Sequence, residues 1–181
     1  NVNTLLVGLP EGSKPPVNDV FVQQGDYLGT GEDAGCLVEE HLAKYYGIVP
    51  GDAVEVLTPA GRVALTVKGI VASPEFYLIT GNGSEFLASP RNFGVVFISQ
   101  PWLQEAFASP GVSNQFCFLM RDPALTLEAR AEAEEILAPY TIEYSRLGNE
   151  QAVRKLLDTD VRNLRQMSFV FPFFFLLIAA L

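Results

Sequence analysis

The alternation of apolar and polar residues predicts short strands in the first hundred residues. Val63, Leu65 and Val67 alternate with smaller or polar side chains, the period of two that is typical of a strand with one buried face. Residues 53–58 precede this run, and the Pro-Ala-Gly turn at 59–61 joins the two segments, which predicts a β-hairpin. Further strands are predicted at 3–7, 19–22, 76–79 and 94–99.

Apolar residues spaced by three and four predict two short helices in the same region. Val38, Leu42 and either Tyr45 or Tyr46 share a helical face ahead of Gly47, which suits a helix C-cap. Pro101 suits a first helical turn and predicts a helix over 101–108.

Residues 115–144 form a predicted strand, helix, strand unit. Strands are expected at 115–120 and 140–144, on either side of an Ala-, Glu- and Leu-rich helix at 125–137. Such a unit needs a sheet to join, and the N-terminal strand is its expected partner. We therefore predict an α+β fold. A discontinuous α/β subdomain comprises residues 1–24 and 111–148, and residues 25–110 form an inserted β-rich subdomain.

The last thirty residues change from amphipathic to fully apolar. Residues 149–168 carry apolar side chains at helical spacing with charges between them, and 169–181 read FVFPFFFLLIAAL without one charge. A spanning helix needs about 20 apolar residues. We expect a stalk helix at 149–168 that leads into the first turns of a transmembrane helix at 169–181. The alternative is an ordinary C-terminal helix with a buried or oligomer-forming end. The start at Asn1 leads us to expect that a targeting segment precedes it.

The charge balance excludes one class of partner. Twenty-one acidic against 12 basic residues give a net charge of −9, which repels phosphate backbones, so we predict no nucleic-acid binding. The two cysteines, Cys36 and Cys117, lie in apolar stretches without a CxxC spacing. They are expected to be buried free thiols, with one long-range disulfide as the alternative.

The candidate catalytic groups are isolated from one another in the sequence. His41 has no second histidine or cysteine pair near it, and we expect a surface side chain rather than a metal ligand. A Cys/His nucleophile pair has no local signature, and the LDTD at 157–160 resembles an aspartic-protease motif only weakly. The chain contains no phosphate-binding GxxxxGK[ST] loop. We predict a protein that is not an enzyme and holds no metal or cofactor.

Two surfaces are candidates for partner binding. Residues 73–86 carry Phe76, Tyr77, Asn82 and Phe86 beside glycines, and this loop either presents aromatic anchors to a partner or packs its rings into the core. The glutamates at 128, 132, 134 and 135 would attract a basic partner, although such runs are usually solvated surface.

Three stretches together resemble the extracytoplasmic domain of MacB-type and FtsX-like ABC transporter permeases. They are CLVEEHLAKYYGIVPGDAVEV at 36–56, LTVKGIVASPEFYL at 65–78 and FGVVFIS at 93–99. The resemblance includes the GD turn, a strand ending in V-x-GIV, and a terminal apolar run. It implies a two-part domain that stands outside the membrane between two spans.

The resemblance also implies the partners and the role. The domain would couple ATP hydrolysis by a cytoplasmic ATP-binding subunit to substrate export or lipoprotein release. A second permease copy or paralogue would complete the transporter, and a periplasmic adaptor or lipoprotein is a further expected partner. The basic residues at 154, 155, 162 and 165 favour a cytoplasmic flank, but long domains translocate largely regardless of charge. The alternative function is an extracytoplasmic module that regulates an external enzyme such as a cell-wall hydrolase.

Overall fold

A computed structural model describes residues 2–31, 35–76, 89–150 and 152–179. The chain divides into two compact units, residues 1–119 and 120–181, and each is described by itself. The first unit contains a six-stranded mixed sheet and two helices. The second contains two further helices. The fold is therefore of the mixed α+β type that the sequence predicts.

The sheet of the first unit has the strand order β1-β6-β3-β5-β2, with β4 also paired to β5. The strand bounds are β1 Asn3–Leu9, β2 Phe21–Gly25, β3 Gly35–Glu39, β4 Ala53–Thr58, β5 Gly61–Ala72 and β6 Phe93–Ser99. β1 runs parallel to β6, and β3 runs parallel to β5, while the other pairs are antiparallel. The predicted hairpin is confirmed as β4 and β5, which meet with Val56 opposite Val63.

Two helices follow strands of this sheet directly. Helix α1, Glu40–Tyr46, ends at Gly47, whose φ of 68° is the left-handed conformation that glycine adopts without strain. Helix α2, Gln100–Ala106, begins after Ser99, whose hydroxyl accepts a hydrogen bond from the backbone N–H of Trp102. The prediction that Val38 lies on the α1 face is wrong. Val38 lies in β3, where pairing with β5 and β6 fixes an extended backbone.

The core lies on both faces of the central strands. Successive residues of a strand point to opposite faces, and those of β3 and β6 are buried on each. One face packs under α1 and is formed by Cys36, Val38, Leu42, Ala43, Leu65, Val67, Ile70, Val96 and Ile98. The other is covered by residues before β3 and is formed by Leu9, Val20, Leu28, Leu37, Val71, Val95 and Phe97.

The strands predicted at 115–120 and 140–144 do not form in the described structure. Both segments are irregular, and the N-terminal strand β1 pairs with β6 instead of with either of them. A strand needs a neighbour to satisfy its backbone groups, and neither segment has one among the described residues. β1 and β2 therefore share one sheet with β3 to β6, and the described residues contain no separate α/β sheet of the kind expected.

The described residues of the second unit form helices and irregular segments. A short 3-10 helix, Pro123–Leu125, leads into α3, Thr126–Leu137, and a second one, Gly148–Glu150, precedes α4, Ala152–Ala179. Arg130 of α3 ties the unit together, since it donates to Glu134 at 2.8 Å and to the carbonyl of Ser145 at 3.1 Å. The hydrogen bond between these two side chains raises the pKa of Arg130 and lowers the pKa of Glu134. The predicted helix at 125–137 is confirmed as α3. The helix expected over 149–168 and on into the apolar run is observed as α4, which begins at Ala152.

Candidate functional site

The corner that follows β5, residues 73–76, carries the first of the predicted contact residues. The Phe76 ring meets Phe97 edge to face, with ring centroids 5.9 Å apart and an interplanar angle of 64°. Phe97 is fully buried, so Phe76 rests on the core. The other predicted contact residues, Tyr77, Asn82 and Phe86, lie outside the described residues. The partner-binding role of the four residues stays a prediction.

A polar cluster beside this corner joins three distant parts of the chain. The side-chain amide of Asn18 donates to Glu75 at 2.8 Å, and that of Gln115 donates to the other carboxylate oxygen of Glu75 at 3.4 Å. Asn18 adopts a φ of 56°, a left-handed backbone that asparagine tolerates better than most residues. The cluster anchors residues 111–119 next to the end of β5. Sequence reasoning missed it because nothing local indicates contacts between residues so far apart.

The two cysteines have different environments, and both are free thiols. Cys36 is buried in β3, and burial raises the pKa of its thiol to about 12. Cys117 is exposed, which contradicts the prediction that both are buried. Partial burial and the charge of Glu75 raise the pKa of Cys117, although a hydrogen bond from Gln115 opposes them. A raised pKa keeps a thiol protonated at neutral pH, so neither cysteine is an activated nucleophile.

Glu39 is a buried carboxylate at the junction of β3 and α1. One of its oxygens accepts hydrogen bonds from the backbone N–H groups of His41 and Leu42, which makes Glu39 the N-cap of α1. The other oxygen lies 2.6 Å from Nδ1 of His41, whose side chain is 43% exposed. The sequence correctly predicts that His41 lies toward the surface. It does not reveal the buried Glu39, because glutamate is rarely an N-cap residue.

Among the described residues, Glu39, Glu40 and His41 bring three potential cation ligands close together. Their ligand atoms all lie within 4.8 Å of one another. However, Glu39 is already engaged as the helix cap, and the amide of Gln23 donates to Glu40 at 2.7 Å. Each carboxylate therefore has a hydrogen-bonding role in the local structure.

The long helix α4 is the most distinctive feature of the second unit. It continues from charged residues into the apolar run, through Pro172, without a break between Ala152 and Ala179. The hydroxyl of Ser168 donates to the carbonyl of Leu164 at 2.8 Å, one turn before it. No helix in the described part of the chain is both long and apolar enough to cross a membrane. The LDTD sequence lies within this helix, where Asp158 and Asp160 are exposed.

Exposed apolar side chains are concentrated after residue 111. In the first unit they lie on the anchored segment, with Phe116, Phe118 and Leu119 each more than half exposed. The second unit exposes Leu127, Ile136, Tyr140 and Tyr144 in the same way. These residues are the candidates for contact with a partner, because apolar patches on a protein surface commonly mark such contacts.

Comparison with known sequences adds no identification. No protein-family model matches this chain, and no curated protein matches it.

Proposed function

We propose that this chain is the extracytoplasmic domain of a membrane-anchored permease of the MacB-type, FtsX-like class. The observation that carries the proposal is α4, in which an amphipathic, charged half and an apolar half form one continuous helix. A continuous helix transmits a displacement along its axis because its backbone hydrogen bonds resist stretching and bending. In the proposed role, α4 links the membrane to residues outside it.

The arrangement of the resembling stretches supports the same proposal. Residues 36–56 contribute β3, α1 and β4, residues 65–78 contribute most of β5, and residues 93–99 are β6. β3 pairs with both β5 and β6, so three stretches that are separated in the sequence are adjacent in the sheet. They form the buried centre of the first unit, which is expected if the three stretches belong to one domain.

The proposed role is mechanical rather than catalytic. The carboxylate of Glu39 caps a helix, and both thiols have raised pKa values. These groups are engaged in structure or lack the activation that nucleophilic catalysis requires. The domain would change shape when the cytoplasmic subunit hydrolyses ATP, and its exposed apolar residues would meet an extracytoplasmic protein or substrate.

The test begins with the full-length protein purified from membranes. An ATP-binding subunit should copurify with it, and addition of ATP and vanadate should change hydrogen exchange in residues 35–72 and 93–99. Asn163 is exposed in the middle of α4. Asn163→Pro should destabilise the charged half of α4 by about 3 kcal/mol, because it removes a backbone hydrogen bond there, and should weaken this response, whereas Asn163→Ala should preserve it.

Two results would contradict the proposal. One is a preparation without any ATP-binding subunit, and the other is a hydrogen-exchange pattern that ATP does not change in the unmodified protein.

The exposed apolar residues at 116–119 also suit a second role, in which the domain regulates an external enzyme. Copurification of an exported hydrolase, with no transported substrate, would favour that second role.

A further inference from the structure

Arg162 and Arg165 lie on α4 shortly before its apolar half. They are three positions apart, so their side chains share one side of the helix. Both are exposed, and neither forms an ion pair with a residue that the structure describes. Two neighbouring guanidinium groups are therefore available to an anionic ligand.

The order of charges along α4 favours an anionic ligand at its apolar end. Asp158 and Asp160 come first, and no acidic residue follows Asp160 in the sequence. Residues 161–181 carry two positive charges and no negative one, although the whole chain has a net charge of −9. An anionic surface is therefore repelled by most of this chain and attracted by the two arginines.

The distance of the arginines from the apolar run matches the depth of lipid headgroups. A helix rises about 1.5 Å per residue, which places Arg165 about 6 Å and Arg162 about 10 Å before Phe169, where the apolar run begins. The headgroup layer is about 5 to 8 Å thick on each side of a bilayer. If the apolar run enters a membrane, Arg165 lies within this layer and Arg162 lies at its outer boundary. Long arginine side chains can extend from there to the lipid phosphates.

We infer that Arg162 and Arg165 bind the phosphate groups of anionic phospholipids at the outer surface of the membrane. The inference rests on the proposed function, which brings α4 to a membrane. A guanidinium group donates paired hydrogen bonds to phosphate oxygens, and the uncompensated charge of an anionic headgroup adds an attraction that a zwitterionic lipid lacks. This role also explains basic residues at the membrane end of a domain that lies outside the cell, against the usual positive-inside tendency.

The test is photo-cross-linking of the full-length protein in phosphatidylcholine nanodiscs. Each preparation contains the same small fraction of a probe lipid with a diazirine on its headgroup, either phosphatidylglycerol or phosphatidylcholine. Mass spectrometry locates the cross-links along the chain. One basic residue near a membrane surface favours an anionic lipid about five-fold. The phosphatidylglycerol probe should therefore label residues 158–168 at least about five-fold more than the phosphatidylcholine probe.

Charge variants assign this preference to the arginines. Arg162→Gln with Arg165→Gln should reduce labelling by the phosphatidylglycerol probe to the level of the phosphatidylcholine probe. Asp158→Asn with Asp160→Asn is the matched control, because it also removes two exposed charges, and it should preserve or increase the labelling. Arg162→Lys with Arg165→Lys should give an intermediate yield, because lysine keeps the charge without the paired hydrogen bonds.

Three outcomes would overturn the inference. They are equal labelling by the two probes in the unmodified protein, a preference that survives the loss of both arginines, or no cross-link at residues 158–168 with either probe. Displacement of the probe by millimolar inorganic phosphate at constant ionic strength would also contradict it, because the arginines would then bind a free anion rather than a headgroup.

The lipid site and the proposed function can fail independently. The cross-links require a membrane but no ATP-binding subunit. Arginine-dependent labelling in a protein that copurifies with no ATP-binding subunit would support the lipid site and contradict only the permease proposal.

Discussion

The buried carboxylate of Glu39 holds the exposed imidazole of His41 and the first turn of α1 at the same time. One oxygen accepts the backbone N–H of His41 at 2.9 Å, and the other lies 2.6 Å from the Nδ1 atom of that residue. The hydrogen bonds of Glu39 therefore fix the point at which β3 ends and α1 begins.

We predict that Glu39→Ala lowers the free energy of unfolding by about 2 kcal/mol, because two backbone donors lose their acceptor inside the protein. Urea unfolding followed by the fluorescence of Trp102, the single tryptophan, measures this loss. Glu40→Ala is the matched control and should change the free energy by less than about 0.5 kcal/mol. Equal losses in the two variants would show that the cap does not stabilise α1.

The contact between Phe76 and Phe97 should appear as an energetic coupling. Replacing each ring by leucine, singly and together, should give a coupling free energy of about 1 kcal/mol for this edge-to-face pair. Phe97→Leu combined with Phe107→Leu is the control and should be additive, since Phe107 is exposed. Additive effects for Phe76 and Phe97 would mean that the Phe76 ring does not rest on the core.

The reactivity of Cys117 should depend on Glu75. Partial burial and the negative charge of Glu75 raise the pKa of the thiol, so Glu75→Gln should lower that pKa and increase the thiolate fraction at pH 8. The rate of reaction with a soluble disulfide reagent, measured against pH, should therefore rise at lower pH than in the unmodified protein. Glu40→Gln should leave the profile unchanged. An unchanged pH dependence of the reaction rate in Glu75→Gln would mean that the charge of Glu75 does not act on the thiol of Cys117.

The sequence predicts those parts of the fold that a local residue pattern specifies. The hairpin at 53–71 and the C-cap at Gly47 follow from alternation and from turn chemistry, and both are confirmed. The sequence does not predict β3 because this strand is buried on both faces. Its residues Cys36, Leu37 and Val38 form an unbroken apolar run, which has no period that distinguishes strand from helix.

Long-range pairing could not be predicted from the same patterns. The parallel register of β1 with β6 joins Asn3 to Phe93, and no local signal specifies that partner. The segments at 115–120 and 140–144 have strand-like alternation but no neighbouring strand in the described structure, so propensity alone does not make them strands. For the same reason, the anchoring of Gln115 by Glu75 was not predicted.

The most direct test of the central claim is the labelling of Cys117 in intact cells with a membrane-impermeant maleimide. The native chain supplies its own control, because Cys36 is fully buried and should react only after denaturation. Thr141→Cys in a Cys117→Ser background provides a second, exposed reporter. An extracytoplasmic domain predicts that both reporters are labelled before the cells are opened. Labelling of both only after lysis would place the domain in the cytoplasm and contradict the permease proposal.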